Sequence, residues 1–249
     1  MMRKTALFFS LLLLVMASCS KMERNEKKYI EGLMSEDYET SSKAYDEFSK
    51  WLQSDKSTMT HDFKLMQEKL GMKVVTSPDS LVRCYSWLSA NEGEKHAYAN
   101  IIQWMAGDKF AAYSGPLNRL LANRKDEYNK EFSRAHSIDT IFEITTFNRP
   151  IYLIVQSYVN GKGKRRAMAS ASVVDHVRLA ALPFFFDGVE LAGNYEFVDK
   201  GNTPIGDLFK WDEENRLFYA YTTDDNNNII PNKYIVYVLG DDRFSRIPQ

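Results

Sequence analysis

The sequence predicts an α+β chain, with N-terminal amphipathic helices packed on a larger antiparallel β-rich body of sandwich or barrel type. Three observations carry this. Apolar residues recur at helical spacing before Gly71 and not after it. Beyond Gly71, short β-branched and aromatic runs are separated by Gly, Pro, Asn and Asp. Aromatics make up 13% of the chain, with 14 Tyr and 15 Phe, residues that suit pleated, half-buried surfaces.

The chain opens on a leader. Arg3 and Lys4 give a positive start, and Ala6 to Ala17 is apolar apart from Ser10. That run is about a dozen residues, short of the roughly 20 that cross a bilayer core as a helix, and it fits a secretory signal. It ends in Met16-Ala17-Ser18-Cys19, which resembles a bacterial lipobox. The resemblance implies a signal peptide over 1–18, diacylglycerol on the Cys19 thiol and an acylated Cys19 amine. One acyl chain anchors only marginally, whereas two or more hold firmly without a transmembrane helix. The alternatives are an ordinary secretory signal cut at a nearby small residue, or an uncleaved anchor. Residues 19–28 read as a lipidated polar tether. Ser20 follows the cysteine where an acidic residue would resemble an inner-membrane retention signal, and no acidic run resembles a surface-export signal. The expected address is therefore the outer membrane, facing the periplasm, with the cell surface as the other location.

Residues 29–71 read as a helical segment. Ala44, Phe48, Trp51 and Leu52 form one apolar stripe. Phe63, Met66 and Leu70 form a second, with Thr60 as the expected N-cap and Gly71 as the stop. Residues 72–249 read as the β-rich domain. Met72 to Thr76 and Leu81 to Leu88 flank Ser77-Pro78-Asp79-Ser80, a turn in which Pro fixes φ while Asp and Ser cap the backbone. Lys95 to Met105 and Lys109 to Tyr113 form the next hairpin, and 116–134 reads as a helix. Strands follow at 138–145, 151–159, 165–174, 177–181, 184–186, 195–198, 208–211, 217–222 and 234–239. No repeat is strict enough for propeller blades.

The stretch Asp79-Ser80-Leu81-Val82-Arg83-Cys84-Tyr85-Ser86-Trp87, then Glu94, then Asn100-Ile101-Ile102-Gln103-Trp104 resembles a pattern in Bacteroidota outer-membrane lipoproteins of uncharacterised function. There a Tyr-Ser-Trp-like strand end is followed by a Gly-Gly-Thr-like turn and a strand ending near Gln-Tyr. This chain has Glu92-Gly93-Glu94 at the turn. The resemblance spans some 30 residues, implies the address and fold, and brings no active site.

Lys and Arg total 32 against 33 Asp and Glu, so no net field draws nucleic acid. With Cys19 lipidated, Cys84 is the one remaining cysteine, which excludes an internal disulfide. Cys84 lies in an apolar-alternating run and reads as a half-buried structural thiol.

Of the four histidines, His61, His96, His136 and His176, none pairs with another at i, i+4 spacing. Glu94 and His96 share a strand face, the spacing an acid–base or metal pair would use, but beside a turn where solvated charges are common. Asp175 and His176 point to opposite faces. Lys162, Lys164 and Arg165 surround Gly161 and Gly163. A phosphate cradle needs a following helix, and here a strand follows, so these residues read as a hairpin tip with an anion contact as the alternative. Asp224, Asn226 and Asn228 imitate half a calcium loop, but Ile229 and Ile235 stand where Gly and Glu are needed. Phe184-Phe185-Phe186 reads as core, with an exposed aromatic patch as the alternative. No nucleophile elbow, P-loop or dinucleotide fingerprint occurs.

These readings converge on a lipid-anchored envelope protein that binds an unknown protein or glycan partner, without cofactor, metal or catalytic residue. Glu94, His96, Lys162, Lys164 and Arg165 are its candidate contacts. The rival is a periplasmic hydrolase whose site assembles only in the fold.

Overall fold

The computed structural model describes residues 21–88, 98–106, 109–114, 137–145, 150–159, 164–175, 178–182, 185–186, 196–198, 203–241 and 244–248. It begins with helix α1 at 21–33, α2 at Tyr38–Ser54, a 3-10 turn at Lys56–Met59 and α3 at Lys64–Leu70. Asp37 caps α2, its carboxylate accepting from the Thr40 backbone N–H at 2.8 Å and from the Thr40 hydroxyl at 2.6 Å. Thr60 does not cap α3. It closes the 3-10 turn, and the N-cap position is held by Phe63 in the left-handed region at φ 54°. A bulky residue is rarely found there, and here its ring is fully buried in the helix–sheet core. Gly71, at φ 62°, ends α3 as expected.

The segment expected to be a tether is corrected by α1. Residues 21–28 belong to a helix whose Met22, Glu26, Tyr29 and Leu33 are buried. These recur at i, i+4, i+7 and i+11, a helical stripe disguised by the charge of Glu26. Gly32 lets α1 approach α2 closely, since a Cβ there would lie 2.6 Å from the Ala44 Cβ.

Among the described residues, the strands form three sheets. The first is the antiparallel meander β1 (Lys73–Thr76), β2 (Val82–Leu88), β3 (Tyr98–Ala106) and β4 (Lys109–Ser114). The second runs β5 (Ser137–Thr145), β6 (Pro150–Val159) and β7 (Lys164–Asp175), and β7 pairs along its length with both β8 (Arg178–Leu182) and β10 (Glu196–Val198). The third is ordered β11 (Phe209–Asp212), β12 (Leu217–Thr223), β13 (Ile229–Leu239), β14 (Phe244–Arg246) and β9 (Phe185–Phe186). The β9–β14 pairing is parallel and the rest are antiparallel. A short helix, α4 (Ile205–Leu208), leads into β11.

Strand alternation sends the two faces of each inner sheet into different cores. On β2 and β3, Tyr85, Trp87 and Ile101 join Phe48, Trp51, Leu52, Phe63 and Met66 of the helical layer. From the opposite face, Val82, Cys84, Ile102 and Trp104 meet Ile138, Ile141, Tyr152 and Ile154 of the second sheet. The second sheet then turns Ile144, Ile151, Leu153 and Val155 toward Phe209, Phe218, Tyr237, Leu239 and Phe244 of the third. Helices and three sheets thus pack in sequence through three apolar cores, an α+β architecture. Burying a side chain of Leu or Phe size contributes about 1.5–3 kcal/mol, so each core binds its layers through many such terms.

Most strand positions agree with the sequence to within a few residues, but β13 starts at Ile229 rather than Tyr234, and β14 was not expected. Loop 224–228 is the polar hairpin expected: Asp224 Oδ1 accepts from the backbone N–H groups of Asn226 and Asn228. The helix expected over 116–134 lies outside the described residues. Among the described residues, no helix is long and apolar enough to cross a membrane.

Candidate binding cleft

An open cleft of about 700 Å³ lies where the 3-10 turn crosses the β1–β2 turn and the end of β3. Lys56, Met59 and Thr60 form one wall, Asp79 and Leu81 another, with Arg83 and Met105 also lining it.

The sequence builds this place by local means. In the β1–β2 turn, Asp79 Oδ1 accepts from the Ser77 hydroxyl at 2.6 Å and from the Leu81 N–H at 3.0 Å. Its Oδ2 accepts from the Tyr152 hydroxyl at 2.6 Å, tying the turn to the second sheet. The acidic group of the cleft is therefore held by three donors. Burial, and then the neighbouring Asp79 carboxylate, push the Tyr152 phenol well above its ordinary range.

Arg83 is the unusual residue. It sits in mid-β2, only 6% exposed. Its Nη1 donates to the carbonyls of Thr58 at 3.0 Å and Met59 at 2.5 Å, and Nη2 donates to that of His61 at 2.5 Å. The guanidinium lies 5.6 Å from the ring centres of both Phe63 and Tyr85. Its buried Nε–H has no acceptor, and no carboxylate of the described residues forms an ion pair with it. Burial lowers its pKa, because a cation is poorly solvated there, and the neighbouring Tyr85 and Asp62 offset this only in part.

Beside Arg83 a buried polar network locks the 3-10 turn to the sheet. The Tyr85 hydroxyl donates to Gln103 Oε1 at 2.7 Å. Gln103 Nε2 donates to the Leu52 carbonyl at 2.6 Å and to Thr58 Oγ1 at 2.7 Å. At the start of α3, the buried Glu26 carboxylate meets His61 Nε2 at 2.6 Å and accepts from the Met66 N–H at 3.0 Å.

Of the candidate contacts read from the sequence, only Arg165 has a described side chain, and it does not line this cleft. Cys19, Glu94, His96 and Lys162 lie outside the described residues, as do His136 and His176. Lys164 opens β7 opposite Val198 of β10, and its side chain is likewise outside them. Arg165 is not presented at a hairpin tip. It is 8% exposed within β7, donating from Nη1 to the Thr203 carbonyl at 2.9 Å and from Nη2 to Ser157 Oγ at 3.4 Å. Its backbone stands opposite Phe197 of β10. The Ser157 hydroxyl also donates to the Asp139 carboxylate, which pairs with Lys73 at 2.7 Å. Asp139 sits at a β-bulge of β5, so Lys73, Asp139, Ser157 and Arg165 form one chain from the first sheet to the second.

Cys84 is fully buried in the core between the first two sheets, deeper than the half-buried position expected, and burial pushes its thiol well up. The side chains of Phe185 and Phe186 lie outside the described residues. Among the described residues, no three His, Cys, Asp or Glu side chains gather as a metal site.

Sequence reasoning missed Arg83 and Glu26. The signal for Arg83 was a charged residue inside a strand with apolar neighbours on both faces. For Glu26 it was the periodicity of Met22, Tyr29 and Leu33 on either side of it.

The fold is that of an α+β protein, with an open cleft whose lining includes a buried arginine. No protein-family model, no curated protein and no solved structure matches the chain.

Proposed function

We propose that this chain is a lipid-anchored cell-envelope protein that binds a ligand without transforming it, at the cleft between the 3-10 turn and the β1–β2 turn. The observation that carries the reading is the composition of that cleft. Lys56 and Arg83 supply charge, Met59, Leu81 and Met105 supply apolar contact, and Asp79 is held by three donors. Flexible methionines beside a few fixed polar groups are suited to holding a ligand.

The anchor rests on the leader and on the lipobox-like ending at Cys19. The outer membrane, with the cleft on the periplasmic side, is the proposed address, in line with the resemblance to Bacteroidota lipoproteins. Because the chain is already helical at residue 21, the proposed lipid would be followed almost at once by packed helix, leaving the body close to the bilayer. Metabolic labelling with a palmitate analogue tests the anchor. Cys19→Ala should lose the label and leave the membrane fraction, and equal labelling of mutant and parent would contradict it.

A second reading, a periplasmic hydrolase, has one specific observation in its favour. A carboxylate that holds an imidazole, as Glu26 holds His61, is the arrangement that orients a general base. The His61 side chain is 19% exposed, and its carbonyl holds Arg83 at the cleft. Loss of phenotype in His61→Gln with an unchanged melting temperature would favour the hydrolase.

A further inference from the structure

We infer that the cleft is an anion subsite, in which Arg83 receives a carboxylate or phosphate group of the ligand. This deepens the binding reading above and rests on it.

Arginine has five N–H donors in a planar fork, matched to two oxygens of one oxyanion. Three carbonyls hold Arg83 from Nη1 and Nη2. Carbonyls fix its orientation but do not neutralise its charge. The Nε–H remains without an acceptor, and an unmet buried donor on a cation is costly. Lys28, Lys64 and Lys73 pair with Glu47, Asp62 and Asp139, and Arg83 belongs to none of these pairs. Asp62, whose charge acts on Arg83, is itself paired with Lys64 at 3.6 Å.

The surroundings fit an incoming anion. Exposed Lys56 adds a second positive charge in the same cleft. The one carboxylate among the described lining residues, Asp79, is tied to Ser77, Leu81 and Tyr152, and so is not the partner Arg83 lacks. Arg83 Nε is shielded from solvent, so the anion reaches it only when a neighbouring side chain turns aside. Met59 and Met105, both in the lining, are unbranched and have the torsional freedom to do this. An oxyanion seated there would satisfy the fork and neutralise a charge that no carboxylate among the described residues pairs with.

The test uses the full-length protein labelled with ¹⁵Nε-arginine and ¹³C-methyl methionine in an uncharged detergent. It is titrated with sodium acetate, sodium phosphate or acetamide, against sodium chloride at matched ionic strength. The Arg83 Hε–Nε signal should move saturably with acetate, with phosphate, or with both, and the stronger of the two identifies the oxyanion. Lys56→Gln, on an exposed side chain that should not affect folding, should weaken that anion roughly threefold. If the Arg83 signal is unmoved by both anions, the anion inference is overturned. Movement of the Met59 and Met105 methyls with acetamide alone would keep the binding reading and reject the anion. No movement at Arg83, Met59 or Met105 with any probe would count against both.

Discussion

The Tyr85 hydroxyl donates to Gln103 Oε1 at 2.7 Å across adjacent strands, and through Gln103 it holds the carbonyl of Leu52 and the hydroxyl of Thr58. Both side chains are fully buried. The helical layer is therefore fixed to the first sheet by a polar network as well as by its aromatic core. Tyr85→Phe leaves one buried acceptor unmet and should cost about 1–3 kcal/mol. Gln103→Leu strands partners on three sides and should cost more. The double mutant should cost less than the sum of the two, since both act on one network. Urea unfolding of the four proteins measures the coupling, and strict additivity would show that the network is not a unit.

Gly32 stands where α1 meets α2. An added Cβ would lie 2.6 Å from that of Ala44, closer than carbon atoms can pack, so one helix must move. Alanine normally favours a helix over glycine by about 1 kcal/mol. Here overpacking should outweigh that gain and destabilise by about 1–3 kcal/mol. A thermal melt of Gly32→Ala checks the sign, and trimming Ala44 to Gly in the same chain should restore part of the loss.

Alkaline pH should weaken the fold sooner than tyrosine content alone implies. Burial pushes the Tyr85 and Tyr152 phenols well above their ordinary range near 10, and Asp79 raises Tyr152 further. Above that range the unfolded chain loses these protons while the native protein keeps them. The stabilisation is full below about pH 10 and falls as pH rises, by about 1.4 kcal/mol per unit for each such tyrosine. Cys84, raised in the same direction by burial, adds to the loss from a slightly lower pH. Denaturant unfolding between pH 8.5 and 11 should show this slope, and Tyr152→Phe should flatten it by one proton's worth.

The chain from Lys73 through Asp139 and Ser157 to Arg165 makes a different prediction for each end. The Lys73 side chain is 51% exposed, so Lys73→Ala should cost no more than about 1 kcal/mol. Asp139→Ala removes the carboxylate that faces both Lys73 and Ser157, on a side chain only 5% exposed. It should cost about 3 kcal/mol or more, by leaving buried partners without their counter-charge. Equal small losses at both positions would show that the seam between the first two sheets does not rest on Asp139.

Much of the fold was legible because turns announce themselves. Ser77-Pro78-Asp79-Ser80 is read as a turn from residue chemistry alone, and the structure forms it through the same Ser77 and Asp79 side chains. The helices were expected to pack on the body, and their apolar stripes do so through Phe48, Trp51 and Phe63. The layering was less legible. Val82 and Cys84 serve one core and Tyr85 and Trp87 another, so β2 is buried on both faces and alternation gives no inside and outside. The site was hidden for the same reason. Polarity in sequence is read as exposure, whereas Arg83, Gln103 and Glu26 are buried by partners distant in the chain. Nothing local names those partners, so only the fold reveals that Arg83 is left with a donor unmet.

The most direct test of binding without turnover is a methionine-methyl spectrum of the labelled full-length protein, recorded while the small-molecule fraction of cell envelopes is added. Met59 and Met105 line the cleft, whereas Met22, Met66 and Met72 lie in the helix–sheet core and serve as internal controls. Saturable shifts at Met59 and Met105, silence at the three controls, and unchanged amounts of every added compound after hours of contact are the predicted result. Consumption of an added compound, or shifts confined to methyls away from the cleft, would contradict it.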